Sequence, residues 1–219
     1  MFSRKKTDAG EVGVMDAIES LDWGVYSHFR FQIQQYPAVL PIMQVAYYLS
    51  SYVGVCIGLS IAVILFLAQG KRRSALVALI SFASSVGLIA VVRFVVPRRR
   101  PEGAENWLGP DAMVGSYPSA GVFLFMLAMI LIGFAVWDLA RPWTRAAYVL
   151  IAAVLTAWVC LSQFFLAIHF LTDVLGGMAG ASLIAWIAHR YLDPKATRPQ
   201  EGRDTAPMST VTSDGIQRK

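Results

Sequence analysis

Four stretches of this chain, residues 31–70, 74–92, 112–137 and 146–168, contain no Asp, Glu, Lys or Arg. A fifth runs on to residue 188, broken only by His169 and Asp173. A helix needs roughly 20 predominantly apolar residues to cross the hydrocarbon of a bilayer. Charged residues make up 15% of the chain, against roughly a quarter in soluble domains, and the mean hydropathy is +0.54. The chain therefore reads as an all-α integral membrane bundle. Five spans are expected, at about 41–69, 74–96, 118–139, 146–166 and 170–190.

Residues 1–37 read as a tail followed by a helix lying in the membrane interface. Asp16, Glu19, Asp22, His28 and Arg30 are interleaved there with Val14, Met15, Ile18, Leu21, Trp23, Val25, Tyr26 and Phe29. A cap over the bundle is the other reading of this segment. Arg4-Lys5-Lys6 is not followed directly by an apolar core, so no cleavable signal peptide is expected. Residues 38–191 form the membrane domain. Residues 192–219, rich in Pro, Ser, Thr and charge, read as a disordered cytoplasmic tail. Cys56 and Cys160 both fall inside expected spans and read as small core residues. The net charge is +5, but the basic groups sit at span ends, which argues for membrane orientation and against nucleic acid. Lys71-Arg72-Arg73, the Arg141/Arg145 pair, and the cluster His189, Arg190, Lys195 and Arg198 all fall on one side, assigned to the cytoplasm. Arg98-Arg99-Arg100 falls on the other side. Arginines kept there against the rule suggest a task, although Arg98 and Arg99 by themselves read as contacts to headgroups or solvent.

His169 and Asp173 are the ionisable pair inside the fifth apolar run. Such groups are costly at membrane depth and face a protein interior or a watery cavity. At i, i+4 on a helix they would share a face. The carboxylate would then fix the imidazole tautomer and leave the second nitrogen free for attack. In the expected topology two other segments reach the same side. One is Arg93 through Pro101; the other is Tyr117-Pro118-Ser119-Ala120-Gly121, whose serine can cap a helix. Guanidinium groups, a helix N-terminus and an oriented histidine together describe a phosphate site with a nucleophile. The Gly176-Gly177-Met178-Ala179-Gly180 run reads as a close-packing surface.

These segments resemble the type-2 phosphatidic acid phosphatase superfamily, in its membrane lipid-phosphatase branch. The family's motifs are Lys-x6-Arg-Pro, Pro-Ser-Gly-His and Ser-Arg-x5-His-x3-Asp. This chain has Arg93-x6-Arg100-Pro101, Pro118-Ser119-Ala120-Gly121 and Ser162-Gln163-x5-His169-x3-Asp173. The resemblance covers roughly residues 40–190. It implies that His169 attacks phosphorus, that Asp173 orients it, and that Arg93, Arg100 and Ser119 hold phosphoryl oxygens. Ser162, Gln163 and Tyr117 are accessory candidates. No cofactor or metal is implied.

The departures from the pattern are equally specific. Gly121 stands where the family places a histidine that protonates the leaving group, and Gln163 where it places a phosphate-binding arginine. A general acid contributes about 10²–10⁴-fold. A lipid alkoxide needs that proton much more than a phosphate leaving from a diphosphate does. Two readings stay open. One is a phosphatase for a lipid diphosphate, such as polyprenyl diphosphate recycled on the outer face of a bacterial inner membrane. The other is a catalytically silent relative that binds lipid phosphate or serves as a subunit of a membrane complex. Glu102, Glu105, Asp111 and Tyr117 are candidate substitute acids. Transport has no support from an inverted repeat.

Overall fold

In the computed structural model, residues 9–102, 115–137 and 139–192 are described, with the side chains of the first helix described from Gly13 onward. The helices are α1 (Ala9–Gln35), α2 (Leu40–Leu49), α3 (Tyr52–Ala68), α4 (Arg72–Val95), α5 (Ala120–Trp137), α6 (Pro142–Phe165) and α7 (Leu171–Leu192), with a 3-10 turn at Pro37–Val39. The helices α4 to α7 are each long and apolar enough to cross a membrane. The expected tail 192–219 lies outside the described residues beyond Leu192, as do the candidate acids Glu105 and Asp111.

The first expected span is not one rod. The segment from Pro37 through α2 and the helix α3 meet at a bend of 51°, and only together are they long and apolar enough for a broken span or a re-entrant loop. The break has a local cause within the apolar run. Ser51 leaves the helical conformation and caps α3, its side chain accepting from Gly54 N at 3.3 Å. A Cβ at residue 54 would lie 2.2 Å from the carbonyl oxygen of Leu49, so only glycine admits the sharp corner.

The central helix is α5, which packs against α3, α4, α6 and α7. Its buried face carries Val122, Phe123, Leu127, Leu131 and Ala135. The closest approach is to α7, where Gly177 replaces bulk with backbone contact. A Cβ at Gly177 would lie 2.8 Å from Ser119 O, and one at Gly180 would lie 2.2 Å from the Phe123 ring. Lipid tails are as apolar as side chains, so helices in a bilayer gain little from hydrophobic burial and associate through such close packing. The glycine run therefore holds the start of α5 against the start of α7.

The N-terminal helix α1 packs across α6 and α7. Phe29 stacks on Phe164 (centroids 5.4 Å apart) and meets Phe165 edge-on (4.9 Å). Val14, Ile18 and Leu21 share one face of α1 and are exposed. That leaves an apolar stripe suited to an interface, while the opposite side docks on the bundle. Among the described side chains of α1, the only buried one belongs to an acid, Asp22. Cys56 lies exposed on α3 and Cys160 is half-buried; both are free thiols.

Replacing Gly177 with Ala should push Ser119 away from α7, because the obstructing atom is backbone and cannot rotate aside. The expected result is a fall in the thermal midpoint, whereas Ala at the open Gly87 position on α4 leaves it unchanged or raises it. Thermal unfolding of the two variants in detergent checks this.

Candidate active site

Three segments separated in sequence converge at the end of the bundle where α4 and α6 finish and α5 and α7 begin. After Val95 the chain runs without helix through Pro101. Ser116 N donates to Arg98 O at 2.8 Å, which lays residues 115–119 beside that run. Ser119 N in turn donates to the backbone oxygen of Asp173 at 3.0 Å. The third segment is the turn between α6 and α7. There Ala167 adopts φ +55°, a left-handed conformation that costs a non-glycine residue of order 1 kcal/mol. The strain is offset by the backbone N–H groups of Ile168 and His169, which both reach Gln163 O (3.0 and 3.4 Å). The turn thereby delivers His169 to the site.

The histidine is held at both ring nitrogens. Nδ1 lies 3.4 Å from Asp173 Oδ2 and 3.2 Å from Ser116 Oγ. Nε2 lies 3.1 Å from Arg100 Nη1. A guanidinium only donates, so Nε2 is the nitrogen with the lone pair and Nδ1 carries the proton toward Asp173. This is the tautomer a histidine nucleophile requires. Burial pushes the His169 imidazole down to about 4, and Arg100 and Arg93 push the same way against the raising effect of Asp173. Burial, and then the neighbouring Arg93, lowers Arg100 to about 10, which leaves it charged at neutral pH.

Asp173 has no exposed surface. Its Oδ2 accepts from Ser116 Oγ and from Phe170 N (3.0 Å), and its Oδ1 from Arg98 Nη1 (2.8 Å). Arg98 also donates to Asp22 through Nη2. Asp22 Oδ1 accepts from Thr172 N at 3.0 Å, and Oδ2 accepts from Thr172 Oγ1 at 2.6 Å. An acid from α1 therefore caps the first turn of α7. Arg98 lies between two carboxylates, with its guanidinium 4.6 Å from the centre of the Phe170 ring. Arg98, which by itself reads in the sequence as a contact to headgroups or solvent, is here paired with both Asp22 and Asp173.

A cavity of about 200 Å³ opens beside Nε2. Its wall includes Tyr47, Ser50, Ser51 and Tyr52 from the α2–α3 corner, with Arg93, Arg100, Gly121, Gln163 and His169. Two guanidinium groups and no carboxylate line it among the described residues. Arg93 Nη2 donates to Pro118 O at 3.3 Å, while Arg93 Nε and Ser119 Oγ are buried with no hydrogen-bond partner. Buried donors left in that state are costly unless something else satisfies them. An anion in the cavity is the natural candidate for Arg93, which lines it, whereas Ser119 is fully buried and lies off the wall.

The accessory candidates separate. Gln163 reaches the cavity wall, but its amide donates to Val159 O (3.3 Å) and Ser162 Oγ (3.1 Å). Ser162 is fully buried, donates to Val159 O at 2.7 Å, and lies off the wall. The Tyr117 ring covers Gly176, where a Cβ would meet it at 2.5 Å, and it too lies off the wall. Glu102 contributes its backbone oxygen to Tyr26 Oη at 2.9 Å. A Cβ at Gly121 would be 3.2 Å from both Ser50 O and Ser50 Oγ. Sequence reasoning missed Asp22, Ser116 and the pairing of Arg98. Among the described residues no three His, Cys, Asp or Glu side chains cluster as metal ligands would.

No family model and no curated protein matches the sequence. Among solved structures, the chain is similar to the crystal structure of a transmembrane PAP2-type phosphatidylglycerolphosphate phosphatase from Bacillus subtilis. The TM-score is 0.69 and the identity 21%, over 80% of this chain and 86% of that one. The chain thus shares the all-α fold of that transmembrane phosphatase, the fold that the motif spacing led us to expect.

Two expectations follow. Asp22→Ala leaves Arg98 and Thr172 without their shared carboxylate. Removing one member of a buried ion pair costs roughly 3 kcal/mol or more, or about 6–12 °C in the thermal midpoint for a chain of this size. The second concerns pH. The folded value of His169 lies below its ordinary 6.5, so protonation favours the unfolded chain. Stability from this group is present above pH ~6.5 and is lost as pH falls toward 4. Imidazole NMR of the protein in micelles should find His169 neutral from pH 7 to about 5. A midpoint near 6.5 would contradict the burial and the Arg100 contact.

Proposed function

We propose that this protein is a membrane lipid-phosphate phosphatase that works through a phosphohistidine and prefers lipid diphosphates, polyprenyl diphosphate being the type. The carrying observation is the orientation of His169. Its protonated Nδ1 is held at buried Asp173 and its lone-pair Nε2 lies at Arg100 beside a cationic cavity. The terminal phosphorus would lie near Nε2. Arg93 and Arg100 would take its oxygens, meeting the buried Arg93 Nε that lacks a partner, and Ser119, the third phosphate-binding candidate of the motif, would reach it only by a shift of the start of α5. Attack forms the N–P bond and breaks the P–O bond to the leaving lipid monophosphate. Water then attacks phosphorus, the N–P bond breaks, and inorganic phosphate departs with His169 restored. Asp173 supports the positive imidazole in between without itself taking a proton.

The leaving group sets the substrate preference. Gly121 offers no acid, and among the described wall residues no carboxyl or second histidine replaces it. A departing phosphate needs no proton at that moment, whereas a glyceride alkoxide does. The structurally similar Bacillus subtilis enzyme is described as a phosphatidylglycerolphosphate phosphatase, so that lipid monoester is the pertinent comparison. The basic clusters at the opposite helix ends support a reading in which the His169 end faces outward from a bacterial inner membrane.

The test is phosphate release by purified protein from polyprenyl diphosphate and from phosphatidylglycerolphosphate. Release from the diphosphate should be the faster. It should vanish in His169→Ala and fall about 10²–10³-fold in Arg100→Gln, the usual loss for one charge-stabilising donor. Faster release from the monoester would refute the leaving-group argument. No release from either lipid would favour the binding or subunit reading, which the retracted amide of Gln163 supports.

A further inference from the structure

The end of the bundle away from His169 carries a feature the proposed reaction does not use. There α5 ends at Trp137 and α6 begins at Pro142. An apolar groove of about 820 Å³ runs between these helices, along Met129, Gly133, Tyr148, Ala152, Ala153 and Cys160. From Tyr148 to Leu161 its α6 wall rises roughly 20 Å at 1.5 Å per residue. That is a little more than the roughly 15 Å of hydrocarbon in one leaflet. The groove is therefore long enough for one extended lipid chain and has a depth that matches the leaflet.

A cation stands beside the groove without lining it. Arg145 Cζ lies 5.2 Å from the centre of the Trp137 ring, and Trp137 itself lines the groove. Tyr148, three residues after Arg145 and so on the same helix face, is the next lining residue. Arg145 Nε is buried and has no hydrogen-bond partner. The cap residue of α6, Arg141, provides no side-chain acceptor for the free N–H groups of the first turn. A buried guanidinium nitrogen lacking a partner, an uncapped helical turn and a leaflet-deep apolar groove are complementary to a phosphate joined to a hydrocarbon chain.

We propose that this groove is a second, non-catalytic lipid site that holds an anionic phospholipid, its phosphate on Arg145 and one acyl chain between α5 and α6. The full-length protein in detergent, titrated with phosphatidylglycerol or phosphatidylcholine and weighed by native mass spectrometry, tests it. Wild type should retain the anionic lipid about fivefold better, the factor equal to about 1 kcal/mol for one basic side chain. Arg145→Gln should lose that preference and Arg145→Lys keep most of it. Any lipid in the His169 cavity is common to wild type and variants, so the difference reads the groove alone. Ala153→Trp, which fills the groove, should reduce retention of both lipids, and serves if Arg145→Gln does not fold. Equal retention of the two lipids by wild type, or an unchanged preference in Arg145→Gln, overturns the proposal. So does an Ala153→Trp variant that turns a dimer into a monomer with lipid retention unaltered, which would make the groove an interface between copies.

Discussion

The structure depends on a carboxylate that water does not reach. Asp173 sits in the first turn of α7 with no exposed surface, and an ion stripped of water costs several kcal/mol unless its lone pairs are met. They are met by groups from separate parts of the chain. Ser116 comes from the segment before α5, Arg98 from the run after α4, and His169 and the Phe170 N–H from the turn after α6. Each donor can serve only where its own segment is placed, so satisfying one anion aligns three connections. Arg98 carries the constraint further by binding Asp22, which brings α1 into the same arrangement. The direction of the His169 lone pair is thus a consequence of how the bundle end is assembled.

Close packing and this polar network act on the same helix pair. Gly177 lets α7 reach the backbone of Ser119, and Ser119 N completes the contact by donating to the Asp173 carbonyl. Without a hydrophobic gain between helices in lipid, neither device alone would be expected to hold two charged arginines beside a buried histidine. Together they leave Arg93 and Arg100 on one wall of a cavity and keep both carboxylates of the network behind it.

Much of this was legible in the sequence because it is written locally. Charge-free runs mark α4 to α7, and the intervals from Arg93 to Arg100 and from His169 to Asp173 each join one helix end to its adjoining connection. The rest depends on pairings across the chain. Thr172 meets Asp22 across 150 residues and Arg98 meets Asp173 across 75. Asp22 is one of four acids in α1, and nothing in its neighbours marks it as the buried one. Ser116 carries no local signal at all. The bend at Ser51 did leave one, a serine followed three residues later by glycine within an apolar run, but hydropathy over a long window averages it away.

That bend also bears on the departure from the family pattern that matters most for chemistry. In sequence, Gly121 looks like a single lost side chain. In the fold it faces Ser50 at the α2–α3 corner, whose backbone oxygen and hydroxyl would both lie 3.2 Å from a Cβ at 121. Ser50 is itself held there, its hydroxyl donating to Tyr47 O at 3.0 Å. Gly121 and the corner are therefore in close contact, and with Tyr47, Ser50, Ser51 and Tyr52 the glycine lines the cavity beside His169. Residue 121 and the bend between α2 and α3 therefore belong to one local structure, the cavity wall beside His169.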